Sequence, residues 1–175
     1  MKKIIFGCLL LIVILTGCSE EKKIVTEKKW EVSPTFAIPT TFNDGTKGEY
    51  AFIGEQGKLG ILVGSGKVGD VKVSPFVKGE PQKFMWHFLG GNEEFNGKFK
   101  VIGINGNGEE HKVLINTSGT DKNEKVWEYS KIGISPNNGA DTHIPSDLEF
   151  PTSGLWKLDV YIGDKLFGDI IVKVE

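Results

Sequence analysis

Beyond residue 33 the pattern of apolar and polar positions repeats every two residues. Phe84, Trp86 and Phe88 alternate with Lys83, Met85 and His87, and Trp156, Leu158, Val160 and Ile162 alternate with Lys157, Asp159 and Tyr161. Ile170, Val172 and Val174 alternate with Asp169, Ile171 and Lys173. Successive side chains of a strand point to opposite faces, so this alternation predicts strands with one buried face. Trp156 is an expected core residue. His87 has the opposite parity to Trp86 and is expected to point away from the face that buries the tryptophan. Further strands are predicted over residues 49–53, 58–63, 68–74, 98–104 and 109–116, with a weaker signal at 127–134. Residues 121–131 are the one stretch where a short helix fits.

The gaps carry turn chemistry. Gly163-Asp164 separates two strong strands and suits a tight hairpin whose central residues take positive φ. Asn105-Gly106-Asn107-Gly108 does the same earlier, and Asp44-Gly45, Gly90-Gly91 and Asn96-Gly97 punctuate likewise. With 23 glycines spread between short strands, the economical architecture is all-β. An immunoglobulin-like antiparallel β-sandwich over residues 34–175 is the expected fold, without the paired cysteines of antibody domains. A closed barrel is the alternative.

The N-terminus follows another rule. Lys2 and Lys3 precede an apolar run from Ile4 to Leu15, and small residues lead into Cys18. That is the layout of a secretory signal peptide, assigned here to residues 1–17. The run is too short for a spanning helix, which needs about 20 apolar residues. Leu15-Thr16-Gly17-Cys18 resembles a bacterial lipobox, which directs a diacylglycerol onto the cysteine thiol. Two acyl chains hold far more firmly than one, at about 0.8 kcal/mol per buried methylene. The expected address is therefore the extracytoplasmic face of the cell membrane, with Cys18 as the lipidated residue and the lipid as the contact with the membrane. Residues 18–33 read as the lipidated cysteine and a charged, solvated tether reaching ~40 Å at most.

Composition narrows the partners. Cys8 leaves with the leader and Cys18 carries lipid, so the mature chain offers no disulfide and no cysteine metal ligand. The 158 residues from Cys18 to Glu175 suffice for one self-supporting, monomeric domain. The formal charge is −2, every basic residue is lysine, and removing Lys2 and Lys3 leaves about −4. That surface argues against nucleic acid as a partner.

Chemical motifs are sparse. Gly64-Ser65-Gly66-Lys67-Val68-Gly69 fits a dinucleotide-loop pattern, but a strand-like Asp70–Pro75 follows where a helix is required. His87, His111 and His143 show no metal-ligand spacing, and Ser65 has no recognisable partner for nucleophilic catalysis. No catalytic residue, metal site or cofactor is assigned. The polar stretch from Ser135 to Ser146 lies within a long irregular connection ending at Leu155. Loops of that length are often functional. Asn137, Asn138, Asp141 and His143, with His87, are the candidate binding residues. The plainer reading is that the same side chains brace the crossover.

Three segments carry a resemblance. Phe84–Phe88, Pro136–Asp141 with His143-Ile144-Pro145, and Ser153–Tyr161 with its Lys165–Gly168 continuation together resemble uncharacterised Bacillus-type lipoproteins with a β-rich domain of unknown function. The resemblance implies a lipid-anchored β domain of a Gram-positive bacterium and brings no catalytic residues. The expected function is a binding or interaction module for a protein, a wall polymer or a small ligand. The alternative is a hydrolase or metal-dependent enzyme with a site assembled from distant loops. A pocket lined by His87, Asp141 and His143 would favour that alternative.

Overall fold

The computed structural model describes residues 30–117, 121–130 and 135–175. The leader, Cys18, the tether up to residue 29 and the end of the weak strand at 131–134 lie outside the described residues. Two antiparallel sheets pack face to face as a β-sandwich. The first holds β1 (Thr35–Thr41), β2 (Lys47–Glu55), β3 (Leu59–Lys67), β4 (Lys72–Val73), β5 (Gln82–Phe88), β8 (Leu114–Ile115), β9 (Lys125–Val126) and β11 (Thr142–Leu148). The second holds β6 (Phe99–Asn105), β7 (Glu110–Lys112), β10 (Glu128–Tyr129), β12 (Gly154–Ile162) and β13 (Lys165–Val174). Their orders are β1-β2-β3-β5-β11-β8-β9 and β10-β6-β12-β13, with β4 beside β3 and β7 beside β6. No named strand belongs to both sheets, so the barrel alternative is not what forms. The helical content among the described residues is one 3-10 turn, Asn92–Phe95.

The predicted parity is realised in β5, β12 and β13. Trp86, Phe88, Trp156, Leu158, Val160, Ile170 and Val172 are fully buried between the sheets. Aromatic rings meet across the interface: Trp86 lies edge-on to Phe99 at 5.4 Å and Phe150 edge-on to Trp156 at 5.4 Å. Such pairs add about 0.5–1.5 kcal/mol beyond the area they bury. Gly163-Asp164 forms the two-residue turn between β12 and β13, with positive φ at Gly163 alone.

Several expected elements changed. The long irregular connection is interrupted by β11, which lies in the middle of the first sheet between β5 and β8. Its inward positions are Thr142, Ile144, Ser146 and Leu148, so half of its buried face is polar and the alternation is lost to inspection. Pro145 adds to the disguise. It is tolerated where β8 does not reach, since β8 pairs only with Asp147 and Leu148. Ser146 is buried because its Oγ accepts the indole N–H of Trp86 at 2.8 Å. β1 was not foreseen either; it is an edge strand with Pro39 in its middle.

Two predicted elements proved to be crossings between sheets. The 109–116 run splits at Val113 into β7 in the second sheet and β8 in the first. The stretch from residue 121, allowed as a short helix, instead gives a turn, β9 in the first sheet and β10 in the second, with the crossing at Trp127. Inter-sheet pairing overrides local preference there. Tyr129 ties the crossing down: its hydroxyl donates to the Ile115 carbonyl at 2.7 Å, and burial pushes its pKa up to about 12. The 68–74 run contributes only β4, after a turn at Gly69. At the N-terminal edge, Ser33 N donates to Ile171 O at 2.9 Å and Ser33 Oγ accepts from Ile171 N at 2.8 Å.

The Trp86–Ser146 pair is directly testable. Ser146→Ala leaves a buried indole N–H unpaired and should cost about 1–3 kcal/mol in guanidinium unfolding. Adding Trp86→Phe to Ser146→Ala removes that donor, so the double variant should lose less than the two single losses combined.

Candidate functional site

The outer face of the first sheet carries a second, smaller apolar layer. Phe52 is fully buried and His87 is only 1% exposed, although both point away from the inter-sheet core. His87 thus has the predicted parity, and yet it is not a surface residue. Phe52 packs edge-on to the imidazole at 4.7 Å and is stacked by Phe36 at 5.4 Å. Gly60, opposite His87 in the register, makes room: a Cβ there would lie 2.9 Å from the Phe36 ring and 3.2 Å from Phe52 Cβ. His87 is also met by Asn138, in the segment from Ser135 to Asp141 that precedes β11.

That segment is a tight turn. Asn137 and Ala140 exchange both backbone hydrogen bonds, at 3.2 and 2.9 Å. Asn138 and Gly139 between them have φ of 48° and 83°. Two successive positive φ values are the reason an Asn-Gly pair is suited to this turn. Its polar side chains reach down to the sheet. Asn137 Nδ2 contacts Met85 Sδ at 3.2 Å, and Asn138 Nδ2 lies 3.5 Å from His87 Nε2. Asp141 Oδ2 accepts from Gly90 N at 2.9 Å, while the Asp141 amide donates to Phe88 O at 3.0 Å.

His143 stands directly opposite His87 across the β5–β11 pair, with ring centres 6.2 Å apart. Its Nδ1 lies 2.7 Å from Ser135 O. All five sequence candidates, Asn137, Asn138, Asp141, His143 and His87, therefore gather at one place. Each makes an internal contact that pins the turn to the sheet, as the bracing interpretation requires. Met85 is the member that sequence reasoning missed. Its signal was available, because Met85 shares the face of His87 two residues away.

Within this cluster only the His87 imidazole is fully buried. Burial lowers the His87 pKa from 6.5 to about 4; the Met85 carbonyl partly opposes this, and nearby His143 reinforces it. Among the described residues no three His, Cys, Asp or Glu side chains converge on a metal position. Grooves lie elsewhere: one of about 760 Å³ beside Glu93, Glu94, Leu166 and Phe167, and one of about 520 Å³ beside Lys100, Lys112 and Trp127. The His111 ring packs edge-on to Trp156 at 5.2 Å, away from the other two histidines.

An antiparallel sandwich with a polar turn clamped on its outer face is the class of domain these features define. The chain belongs to the family described as Domain of unknown function (DUF4871), whose model matches residues 20–172. It is similar in fold to a crystal structure of a Bacillus anthracis protein provisionally described as a lipoprotein, with 22% identity and a TM-score of 0.57. The match covers 83% of this chain and 86% of that one. No curated protein matches the chain. Among the described residues no helix is long and apolar enough to cross a membrane.

The buried imidazole sets a pH response. The unfolded chain takes up this proton near pH 6.5 and the folded chain only near 4, so stability is complete above 6.5 and falls as pH drops towards 4. The loss attributable to His87 should reach about 3 kcal/mol. Chemical unfolding between about pH 7 and pH 4.5 should show this slope in the wild type and a shallower one in His87→Gln.

Proposed function

We propose that the chain is a lipid-anchored binding module, held by acyl chains on Cys18 at the outer face of the cytoplasmic membrane. The observation that carries this reading is the Leu15–Cys18 motif at the end of a short apolar run with a lysine start. The provisional description of the similar Bacillus anthracis structure as a lipoprotein agrees with it. The address agrees with the resemblance to Bacillus-type lipoproteins, and the charged tether would set the domain off from the lipid surface.

Binding rather than catalysis is the reading favoured by the site. The residues gathered at the turn are amides, one engaged carboxylate and two histidines, braced by contacts to a backbone amide, a carbonyl, a thioether and an imidazole. A nucleophile beside a general base would be the mark of a hydrolase. The partner is a protein, a wall polymer or a small ligand presented outside the cell, met by a single copy of the domain.

Anchoring is tested at the thiol. Cys18→Ser should leave an unprocessed precursor or release the domain from the membrane fraction. Globomycin, which blocks the lipoprotein signal peptidase, should cause the wild-type precursor to accumulate. A Cys18→Ser protein that stays membrane-bound at mature size would overturn the assignment.

A further inference from the structure

Two of the chain's three histidines and one of its two methionines occupy a single patch. Met85 and His87 share the outer face of β5, and His143 faces His87 from β11. Both imidazoles are held in the same way. His87 Nδ1 lies 3.3 Å from Met85 O, and His143 Nδ1 lies 2.7 Å from Ser135 O. A carbonyl can only accept, so in each ring the proton belongs on Nδ1 and the lone pair on Nε2. Histidines that ligate metals are oriented in this manner, by a main-chain carbonyl on the nitrogen that does not touch the ion.

We propose that Met85 Sδ, His87 Nε2 and His143 Nε2 form a binding site for a soft monovalent cation, Cu(I), roofed by the Asn137–Ala140 turn. The donor set chooses the ion. It contains a thioether, two imidazole nitrogens and no carboxylate, because the Asp141 carboxylate is engaged by Gly90 N. Thioethers select soft cations such as Cu(I), and hard divalent ions prefer oxygen donors. A donor set without a carboxylate also leaves a single positive charge less costly than two.

The surroundings fit the same ion. Phe52 closes one side of the His87 ring and is itself backed by Phe36. The ring centres are 6.2 Å apart, a separation that two metal–nitrogen bonds of about 2.0 Å span once both Nε2 atoms turn toward the ion. Two side-chain amides already occupy the outer ends of the donors: Asn137 Nδ2 on Met85 Sδ at 3.2 Å and Asn138 Nδ2 near His87 Nε2 at 3.5 Å. Both are weak contacts, and the cation displaces them by a shift of the Asn137–Asn138 side of the turn. The site does not depend on the lipid anchor, so its failure and that of the anchoring assignment are separate results.

The test uses the full mature chain, purified with its anchor in detergent and labelled with [ε-13C]methionine. It is titrated without oxygen with Cu(I) supplied as its bicinchoninate complex. Met1 leaves with the leader, so the mature chain keeps one methionine and its methyl signal is that of Met85. One Cu(I) per chain should leave the chelator, and the Met85 methyl signal should shift as it does so. Met85→Leu, a swap of similar volume, and His143→Gln should each weaken Cu(I) binding at least ~10-fold. Zn(II) at the same concentration should leave the methyl signal in place. A wild-type methyl signal unmoved by Cu(I), equal binding by the variants, or tighter binding of Zn(II) would each overturn the proposal.

Discussion

Strand β5 is covered on both faces, and the rest of the domain is arranged around that double burial. Trp86 points into the inter-sheet core with no exposed surface, and His87, one residue on, is buried on the opposite face. Each carries a polar atom that the interior must satisfy. The indole N–H obtains Ser146 Oγ, and the imidazole obtains the Met85 carbonyl and the Asn138 amide. Leaving either unmet costs on the order of 1–3 kcal/mol, a large fraction of the stability of a domain this size. Beyond the Met85 carbonyl of β5 itself, the partners come from β11 and the turn that precedes it. This is why a polar, proline-containing segment occupies the middle of a sheet.

The outer layer explains why the polar turn is where it is. Phe36, Phe52 and the His87 ring form an apolar surface on a face that a two-layer sandwich would otherwise leave wet. The Asn138-Gly139 turn closes over that surface, and its amides carry the hydrogen bonds. Bracing and binding are thus not opposed here. The hydrogen bonds of Asp141 and His143 hold the ends of the turn. Its Asn137 and Asn138 amides make only weak contacts to a thioether and an imidazole, which a ligand with a stronger claim on those atoms replaces.

Much of the fold could be read along the chain, for a definite reason. β5, β12 and β13 have apolar residues at every inward position, and strict alternation has one physical interpretation. β11 could not be read that way, because Thr142 and Ser146 face inward and Pro145 interrupts the run. Their justification is the partner across the sheet, which no local pattern contains. The sheet crossings at Val113 and Trp127 were hidden for the same cause: a continuous apolar run does not say which sheet each half joins. The candidate residues were found as a polar cluster, while the proximity of His87 to Asn138 and His143 emerges only from the β5–β11 register. Met85 lay in plain view on the face of His87, yet nothing in its own neighbourhood marks it as a ligand.

The central claim is that β11 is an interior strand whose pairing with β5 carries the global stability. Residue-resolved native-state hydrogen exchange measures that most directly. The account predicts that the ladder amides of Phe84–Phe88 and Thr142–Leu148 exchange in the slowest class, with an opening free energy equal to that of global unfolding. Exchange of the 142–148 amides at loop-like rates, while those of β12 and β13 stay protected, would contradict it.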